Sequence, residues 1–595
     1  MNAAYDNPHG YSIADLFEYT VDRFPERPAL HYVGCERFPE RTLSFRELDG
    51  LANQVARWAR EVEGLQKGDC VALYMENRLE YIVAWYGLCK AGIKTAFINN
   101  TIRLQSLVHS IKISNARLVL FGVEVADGIE QVFRTLIREH GIEAVAWGGP
   151  VGFARSMDAP LSQRSSERLD REEARGGVKF GDVFGYVYTS GTTGLPKAVN
   201  VTHAKQWAFA SGYSKYMTEN DIVYSSGMPL YHSSAGAIGT GMVFHYGACQ
   251  VIRKRFSASA WLDDVRRTGA TMVQYIGELC RYVLSQPPTP QDGDNRLKLA
   301  AGNGLSREIW ADFQMRFKID AIREFYGATE GNGAFKNDVL LADLERGDHR
   351  AVGAVGKLGS NPLMARFVRY DVDTDELVRD ANGRLVDCEV GEPGELLFPQ
   401  RKDIPSSQFV GYSDPEASKK KLVQDGDVSF VRSGDLLVVT KDDYVQFVDR
   451  VGDTFRSKGE NVSTTEVAQA LNLCPVVLEA NVYGVQVPHT EGRFGMAAIV
   501  LREAFAEKVP EALDQLAEHA ARSLPSYARP IFIRVQLTTA TTQTFKHQKV
   551  ALRKQAFDPA AVSATGDQLF WLSGSRYVPF TQADYDALAG QRVKL

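Results

Sequence analysis

Residues 188–197 combine the residue types that bind phosphate groups. The segment reads Tyr-Thr-Ser-Gly-Thr-Thr-Gly-Leu-Pro-Lys, so that hydroxyl side chains and glycines precede a lysine. Glycine lets backbone N–H groups approach an anion, hydroxyl groups add donors, and lysine supplies positive charge. The apolar run 183–188 predicts a strand before the segment, and a helix is predicted from about Thr202. A strand, a glycine-rich turn and a helix in this order indicate a phosphate-binding loop.

The loop is not a Walker A motif, because Pro196 stands where that motif has its second glycine. A flexible surface linker is the alternative interpretation of a segment rich in Gly, Ser and Thr. The strand before the segment and the Pro-Lys pair after it favour the phosphate-binding loop.

Three further segments carry candidate functional side chains. His232 lies in a short polar loop, and the turn 302–304, Gly-Asn-Gly, ends a predicted strand. Residues 326–332 bring together an aromatic ring at Tyr326, glycines, a hydroxyl and the carboxylate of Glu330. Such a set is suited to stacking a base and holding a metal ion near phosphate. The structural alternatives are a histidine that only stabilises its loop and a solvated glutamate at a strand-to-turn junction.

The elements around these segments predict an α/β protein of more than one domain. Strands and helices alternate from residue 70 to 121, which indicates a parallel sheet with helices on its faces. Residues 149–182 are polar and predict a surface connection into the loop. Hairpin signals from 334 to 437 predict a largely β subdomain. We expect a large N-terminal domain, 1–449, and a small mobile C-terminal α+β domain, 450–595, in which Ser463 and Glu466 form a capping box.

Composition narrows the class of function. The 595 residues are too many for one hydrophobic core, and the net charge of −5 argues against a nucleic-acid partner. The seven cysteines form no C-x-x-C pair, so a reducing compartment is expected. The segment 1–10 does not resemble a signal peptide, and no window of transmembrane length is free of charges. We therefore expect a cytoplasmic protein, and weak peripheral contact with the inner face of the cell membrane stays open.

Four motifs together resemble the adenylate-forming superfamily, which includes acyl-CoA synthetases, adenylation domains of peptide synthetases and firefly luciferase. They are residues 188–197, residues 326–330, Ser433-Gly434-Asp435, and Asp449-Arg450 with Lys458-Gly459-Glu460. Within the superfamily the chain is most similar to the fatty acid transport protein, or very-long-chain acyl-CoA synthetase, branch. Residues 302–305, 326–332, 452–456, 458–463, 544–549 and 577–581 carry this resemblance. The membrane anchor of animal members is missing at the N-terminus, so the chain resembles a bacterial member.

The resemblance implies an ATP-dependent long- or very-long-chain fatty acid–CoA ligase. Its carboxylate substrate attacks the α-phosphorus of ATP, pyrophosphate leaves, and the thiol of CoA displaces AMP from the acyl-adenylate. ATP and CoA are the implied co-substrates, with Mg²⁺ as cofactor. The implied ATP-binding residues are Thr189, Ser190, Gly191, Thr192, Thr193, Gly194, Lys197, Gly302, Asn303, Gly304, Tyr326, Gly327, Thr329, Asp435 and Arg450.

The resemblance also implies the remaining site residues. Glu330 and Thr189 hold Mg²⁺, Gly452 is the hinge between domains, and Lys458, Gly459 and Glu460 bind CoA. The implied catalytic residues are Lys546, Glu330, His232 and Arg456. Two positions depart from commoner family patterns, because Gly452 replaces an aspartate or lysine and Arg456 replaces a lysine. These departures leave the hinge and the cation of the thioester step open.

Other functions stay open at this stage. A CoA ligase for another bulky acid, of bile-acid or carnitine type, fits the same motifs. Whether the protein forms a homodimer also stays open. An amino-acid adenylating enzyme would carry an aspartate near Tyr231 and His232, and the sequence has none there. A non-enzymatic fatty-acid uptake or binding protein would not need Glu330, Asp435 and Lys546.

Overall fold

The computed structural model describes residues 11–189, 195–358, 365–372, 374–401, 404–457, 460–488, 493–537 and 549–590. The chain divides into two compact units. The first comprises Met1–Leu305, Ala311–His349 and Gln400–Val423, and the second comprises Ser306–Trp310, Arg350–Pro399 and Gln424–Leu595. The predicted division after residue 449 concerns independent movement of the C-terminal part and stays a prediction.

An eight-stranded sheet in the first unit supports two of the candidate segments. Its inner pairs are parallel, and both edge strands are antiparallel. Parallel strands end at one edge of a sheet, where such folds place their ligands. In spatial order the strands are Ala334–Leu340, Ala321–Gly327, Leu299–Asn303, Met272–Ile276, Ile222–Tyr224, Cys249–Ile252, Pro28–Tyr32 and Arg41–Ser44.

A seven-stranded sheet in the same unit carries the phosphate-loop segment. Its pairs are parallel except for the last, which is antiparallel. In spatial order the strands are Arg155–Ser156, Glu143–Trp147, Leu118–Gly122, Cys70–Tyr74, Lys94–Phe97, Val183–Thr189 and Lys197–Thr202.

Helices cover both sheets of the first unit, and several begin at side-chain caps. Ser12 and Ser44 each form a capping box with an acidic residue three positions later. The α-helices are Ile13–Arg23, Phe45–Arg57, Leu79–Lys90, Leu104–Ile113, Ala126–His140, Asp158–Ser162, Arg171–Arg175, His203–Ser211, Gly241–Tyr246, Ala258–Thr268, Gly277–Leu284, Leu341–Glu345 and Pro415–Lys419. Short 3₁₀ or π turns are Trp58–Val62, Val123–Val125, Ser234–Thr240 and Pro405–Ser407. Helix Arg307–Arg316 and strand Leu422–Asp425 each span a boundary between units.

The predicted surface connection, 149–182, is partly or fully exposed at most of its residues, as predicted, but Arg175 is buried. Arg175 is only 2% exposed, and its guanidinium pairs with Asp15 at 2.8 Å and also with Glu18. Nearby, Lys90 pairs with Asp49 at 2.5 Å, and Asp49 also accepts from Arg168 at 3.0 Å. Arg175 was expected to face water, but carboxylates of helix Ile13–Arg23 compensate its charge in the interior.

The second unit contains two main sheets. The first runs, in spatial order, through Ala354–Lys357, Tyr444–Arg450, Val428–Val439, Gly394–Pro399 and Arg366–Val368, and the second through Val477–Val485, Phe494–Leu501, Phe532–Gln536, Gln568–Ser573 and Arg576–Pro579. Two-stranded ribbons are Tyr370–Asp371 with Glu376–Leu377 and Phe455–Ser457 with Glu460–Val462. The helices are Thr464–Asn472, Val509–Ser523, Lys549–Gln555, Pro559–Ser563 and Gln582–Ala589, with a 3₁₀ turn at Glu503–Phe505.

The second of these sheets is covered by apolar side chains on both faces. Val482, Ala497 and Ile499 pack with helix Val509–Ser523 on one face. Tyr483, Met496 and Phe532 belong to a separate cluster on the other face. The alternation along each strand explains this two-sided burial, because successive side chains point to opposite faces. In the described part of the chain, no helix is both long and apolar enough to cross a membrane.

Candidate functional site

The phosphate-loop segment is the connection of a β-hairpin. Strand Val183–Thr189 pairs antiparallel with strand Lys197–Thr202, and Thr189 lies directly opposite Lys197. The helix predicted from about Thr202 is confirmed, with Thr202 as its N-cap, but the sequence analysis did not predict the strand between the loop and this helix. The β-branched residues at 199, 201 and 202 favour this strand. The predictions for Ser190, Gly191, Thr192, Thr193 and Gly194 lie outside the described residues.

The Glu330 carboxylate is held in a largely buried, cationic environment. It is 14% exposed, its Oε1 accepts a hydrogen bond from the Tyr412 hydroxyl at 2.9 Å, and Lys421 Nζ lies 3.6 Å from the same oxygen. Burial alone would raise the pKa of Glu330, but the charge of Lys421, the Tyr412 hydroxyl and the charge of Lys205 together lower it. The carboxylate is therefore ionised at neutral pH and is suited to a hard cation.

Lys205 supports the backbone of the same turn. Its side chain is buried on helix His203–Ser211, and Nζ donates to the carbonyls of Thr329 at 3.0 Å and Glu330 at 3.4 Å. Burial lowers the pKa of Lys205 to about 8, against the opposing effect of the Glu330 charge. Lys197 Nζ lies 5.6 Å from the centre of the Tyr412 ring, so the hairpin and the residues around Glu330 share a neighbour.

His232 precedes a π turn that buried amides hold in place. The neighbouring Ser233 hydroxyl lies 2.9 Å from that of Thr329. Gln274 Nε2 donates to the Ser234 carbonyl at 2.9 Å, and Gln250 Nε2 donates to the Ala235 carbonyl at 3.2 Å. These bonds connect the His232 loop to the central strands, so its position next to the Thr329 turn is fixed by the sheet.

The turn 302–304 ends strand Leu299–Asn303, beside strand Ala321–Gly327, which carries Tyr326 and Gly327. Gly304 has φ +79°, a conformation that favours glycine. The Gly304 N–H donates to the buried carboxyl of Glu324. The structure thus brings two predicted nucleotide-binding segments to neighbouring ends of paired parallel strands.

In the second unit, Asp435 and Arg450 occupy directly opposite positions on paired strands. The irregular strand segment before Asp435 is held by Glu395, whose buried carboxylate accepts from the Gly434 N–H at 3.2 Å and pairs with Arg432 at 2.6 Å. Residues 15 positions apart in sequence therefore share one face, where they can act on one ligand.

Gly452 follows this strand in a left-handed conformation. Its φ is +80°, and a Cβ added there would meet no atom within 4 Å. The preceding Asp449 is buried, and its Oδ2 accepts from the Thr464 N–H at 2.6 Å and the Thr464 hydroxyl at 2.9 Å. The sequence predicted a glycine suited to change of conformation at 452, and the observed backbone at this position favours glycine.

A group of ion pairs between Asp453, Lys549 and Arg553, called the clasp below, follows the proposed hinge. Asp453 pairs with Lys549 at 3.1 Å and with Arg553 at 2.8 Å. Lys549 also donates to the Thr464 hydroxyl at 2.7 Å. Arg456 lies exposed on strand Phe455–Ser457, opposite Asn461, and Glu460 begins the partner strand. The predictions for Lys458, Gly459 and Lys546 lie outside the described residues.

Sequence reasoning missed the residues that support the predicted ones. Tyr412, Lys421 and Lys205 surround Glu330 but are distant from it in sequence and belong to no local motif. In the part of the chain that the structure describes, no group of three or more His, Cys, Asp or Glu could hold a metal ion. A magnesium ion bound by Glu330 would therefore need further ligands, which a nucleotide phosphate can supply.

Comparisons with known proteins cover almost the whole chain. Residues 17–401 match the family of AMP-binding enzymes, and residues 466–546 match the AMP-binding enzyme C-terminal domain. The chain is 39% identical to long-chain fatty acid transport protein 2 of Rattus norvegicus, over 98% of this chain and 92% of that protein. It is 38% identical to long-chain fatty acid transport protein 1 of Homo sapiens, over 97% of this chain and 87% of that protein.

A solved structure has the same fold. The anthranilate CoA ligase AuaEII, in complex with anthranoyl-AMP, has a TM-score of 0.75 at 22% identity, covering 95% of this chain and 99% of that one. The similarity confirms the predicted α/β fold with its smaller C-terminal part.

Proposed function

Because the chain belongs to the family of AMP-binding enzymes, we propose that it ligates a long- or very-long-chain fatty acid to CoA. The reaction consumes ATP, releases pyrophosphate, and passes through an acyl-adenylate from which CoA displaces AMP. This is the reaction that the sequence motifs predict. Similarity over nearly the full length of two long-chain fatty acid transport proteins supports it.

The observation that carries the proposal is the environment of Glu330. A largely buried carboxylate just after strand Ala321–Gly327, ionised and positioned by Tyr412 and Lys421, matches what a magnesium–nucleotide site needs. A protein that only binds lipid has no use for such a group. When bound, Mg²⁺ would neutralise phosphate charge, and Glu330 with Thr189 would hold it.

The remaining residues deal with the repulsion between two anions. A fatty acid carboxylate must approach the α-phosphorus of ATP, so positive charge and in-line positioning are the main requirements. We assign charge to Lys197 and Lys546 and ribose recognition to Asp435 with Arg450. His232 is assigned to the region of the acyl carboxylate. These assignments follow the motif positions.

A second candidate function is ligation of another bulky acid of bile-acid or carnitine type. The discriminating experiment supplies the purified protein with ATP, Mg²⁺ and CoA and a panel of C8 to C24 fatty acids, bile acids, carnitine-like acids and amino acids. We expect AMP release and thioester formation with long-chain acids only. Thioester formation confined to another acid class would replace the proposed substrate, and no AMP release with any acid would leave an uptake or binding role.

We also propose that the protein works in the cytoplasm and contacts membranes only weakly. Long acyl chains partition into bilayers, which favours contact, but the sequence contains no clear basic amphipathic helix. Co-sedimentation with anionic vesicles should be lost in about 0.5 M salt, because attraction between exposed charges is largely screened at this ionic strength. Salt-resistant sedimentation would contradict weak contact.

A further inference from the structure

A buried carboxyl group lies behind the turn 302–304. Glu324 is 3% exposed on strand Ala321–Gly327. Its Oε2 accepts from the Tyr275 hydroxyl at 2.6 Å, and its Oε1 accepts from the Gly304 N–H. One side chain thereby joins three neighbouring strand ends, those of residues 276, 303 and 327.

Among the described residues, no lysine, arginine or histidine forms an ion pair with Glu324. The adjacent Arg323 pairs with Asp338 instead, at 2.7 Å. Two titratable groups face Glu324. They are the Tyr275 phenol, on strand Met272–Ile276, and the Cys280 thiol, on helix Gly277–Leu284, and neither carries a positive charge. Burial raises the pKa of Glu324 to about 8, although the bonds from Tyr275 and Gly304 oppose the shift.

The turn itself leaves no room for adjustment. A Cβ on Gly302 would come within 2.2 Å of the Tyr275 carbonyl and 2.5 Å of its ring, and a Cβ on Gly277 within 1.7 Å of the Gly304 carbonyl. Tyr275 therefore touches the turn through its ring and touches Glu324 through its hydroxyl. A shift of either side chain is transmitted to the backbone at 302–304.

From this geometry we propose that Glu324 and Tyr275 are positioning residues that hold the turn 302–304 in the shape that receives the nucleotide. The proposal rests on the assignment of that turn to the nucleotide site. It does not depend on which acid the enzyme activates. Neither residue contacts the reacting atoms in this role.

Two hydrogen-bonding arrangements are compatible with the contacts. An ionised Glu324 accepts from both Tyr275 and Gly304. A protonated Glu324 donates its O–H to the Tyr275 oxygen while its carbonyl oxygen still accepts from Gly304. Glutamine reproduces the second arrangement, because its amide N–H replaces the acid O–H. Glu324→Gln is therefore the shape-preserving variant, and Glu324→Ala removes the support.

The test measures binding of AMP by calorimetry and the KM for ATP in acid-dependent pyrophosphate exchange. At pH 6.5 we expect Glu324→Ala to raise the AMP dissociation constant and the KM for ATP by about 10-fold each. This is the scale of a lost buried hydrogen bond to a charged or strongly polar partner. The kcat at saturating ATP should stay within about 3-fold, and Glu324→Gln should restore binding to within about 3-fold of the wild type.

The pH profile separates positioning from simple structural support. Between pH 6.5 and 9 the wild type gains a buried negative charge, which should weaken AMP binding and lower the melting temperature relative to Glu324→Gln. The ratio of the two dissociation constants cancels the titration of the AMP phosphate. Identical pH profiles for both proteins, with AMP bound as tightly by Glu324→Ala as by the wild type, would overturn the proposal.

Tyr275→Phe keeps the ring against Gly302 and removes only the hydroxyl, so it tests the pair even if Glu324→Ala does not fold. We expect a several-fold rise in the AMP dissociation constant, and no further rise in the double variant. Fully additive effects, or none, would contradict a shared role.

Asp264→Asn is the matched control, since Asp264 also accepts from a buried tyrosine, Tyr224 at 2.9 Å, but has Arg253 beside it. It should leave AMP binding unchanged, and an equal loss of binding there would show a general stability effect. If the wild type binds AMP yet activates no fatty acid, the proposed function fails while this inference is still tested.

Discussion

The Glu330 side chain is the most informative single position for the chemistry. Glu330→Gln keeps the shape but removes the charge proposed to bind Mg²⁺. We expect fatty-acid-dependent pyrophosphate exchange to fall by a few orders of magnitude, equivalent to roughly 3–4 kcal/mol. Tyr412→Phe, which removes one hydrogen bond to the same oxygen, should cost much less, about 1 kcal/mol. An exchange rate unaffected by Glu330→Gln would remove Glu330 from the site.

Gly452 gives a prediction about two half-reactions. At φ +80° an alanine is strained by about 1–2 kcal/mol, whereas asparagine tolerates the left-handed region better. Proline fixes φ near −65° and cannot adopt this conformation. We expect Gly452→Pro to lose acyl-CoA formation while retaining adenylation, with Gly452→Ala intermediate and Gly452→Asn mildest.

The control for this series is Asp453→Pro, because Asp453 is the alternative pivot. Pyrophosphate exchange and conversion of a supplied acyl-adenylate are measured separately for each variant. Normal acyl-CoA formation in Gly452→Pro would show that the hinge is assigned to the wrong residue.

At the scale of single residues, the sequence identifies functional side chains when their type and their spacing form a recognisable motif. Glu330, Asp435 and Gly452 belong to that group. Tyr412, Lys205 and Glu324 do not, because each acts through a contact with a residue far along the chain. A buried lysine or glutamate looks, in sequence, like any exposed one.

Among the elements, the hairpin 183–202 shows where pattern analysis stops. The composition predicts the turn, but it does not predict that the six residues after it, Lys197–Thr202, form a strand. Burial of Ala198, Val199 and Val201 against the sheet makes them a strand. Local propensity is weak over so short a run, and tertiary packing decides.

The clasp between Asp453, Lys549 and Arg553 concerns the element that follows Lys546. Lys546→Ala should abolish acyl-AMP formation from ATP but retain conversion of a supplied acyl-adenylate to the thioester, because its charge serves only the adenylation transition state. Lys549→Ala breaks the pair with Asp453 and the bond to Thr464, so we expect lower thermal stability and a modest loss in both half-reactions.

The comparison of these two lysines tests their division of labour. Equal loss of both half-reactions in Lys546→Ala would give that lysine a structural role. Selective loss of adenylation in Lys549→Ala would transfer the catalytic role to Lys549.

At the scale of the whole molecule, family, fold class and reaction were all predictable, since four motifs occur in a fixed order along the chain. The charge cluster formed by helix Ile13–Arg23 and Arg168, Arg171 and Arg175 was not, because these carboxylates and arginines are separated by about 150 residues. Nothing in either segment identifies its partner.

The cluster predicts a specific sensitivity to acid. Burial would raise the pKa of Asp15, but Arg175 and Arg171 outweigh it and lower the pKa. Its contribution to stability is therefore present above the unfolded pKa and is lost as the pH falls through the lower folded value. Asp15→Asn should cost up to about 3 kcal/mol at pH 7, the low end for breaking a buried ion pair, because the buried Arg175 keeps only Glu18 as its counter-charge.

Urea unfolding between pH 3 and 7 checks this prediction. The difference between the wild type and Asp15→Asn should shrink toward pH 3. Asp514→Asn breaks an exposed pair with Arg576 and should change little at any pH. A constant difference across the range would contradict the assignment to Asp15.

The same cluster sets limits on how the chain can be re-engineered. Residues 164–175 have the composition of a linker, where insertions and new termini are usually tolerated. Here a cut or insertion would separate Arg168 and Arg175 from Asp49 and Asp15. A chain shortened past residue 23 would keep Asp49 but lose Asp15, the partner of Arg175. Fusion tags are best attached before residue 11, and circular permutants should open the chain elsewhere.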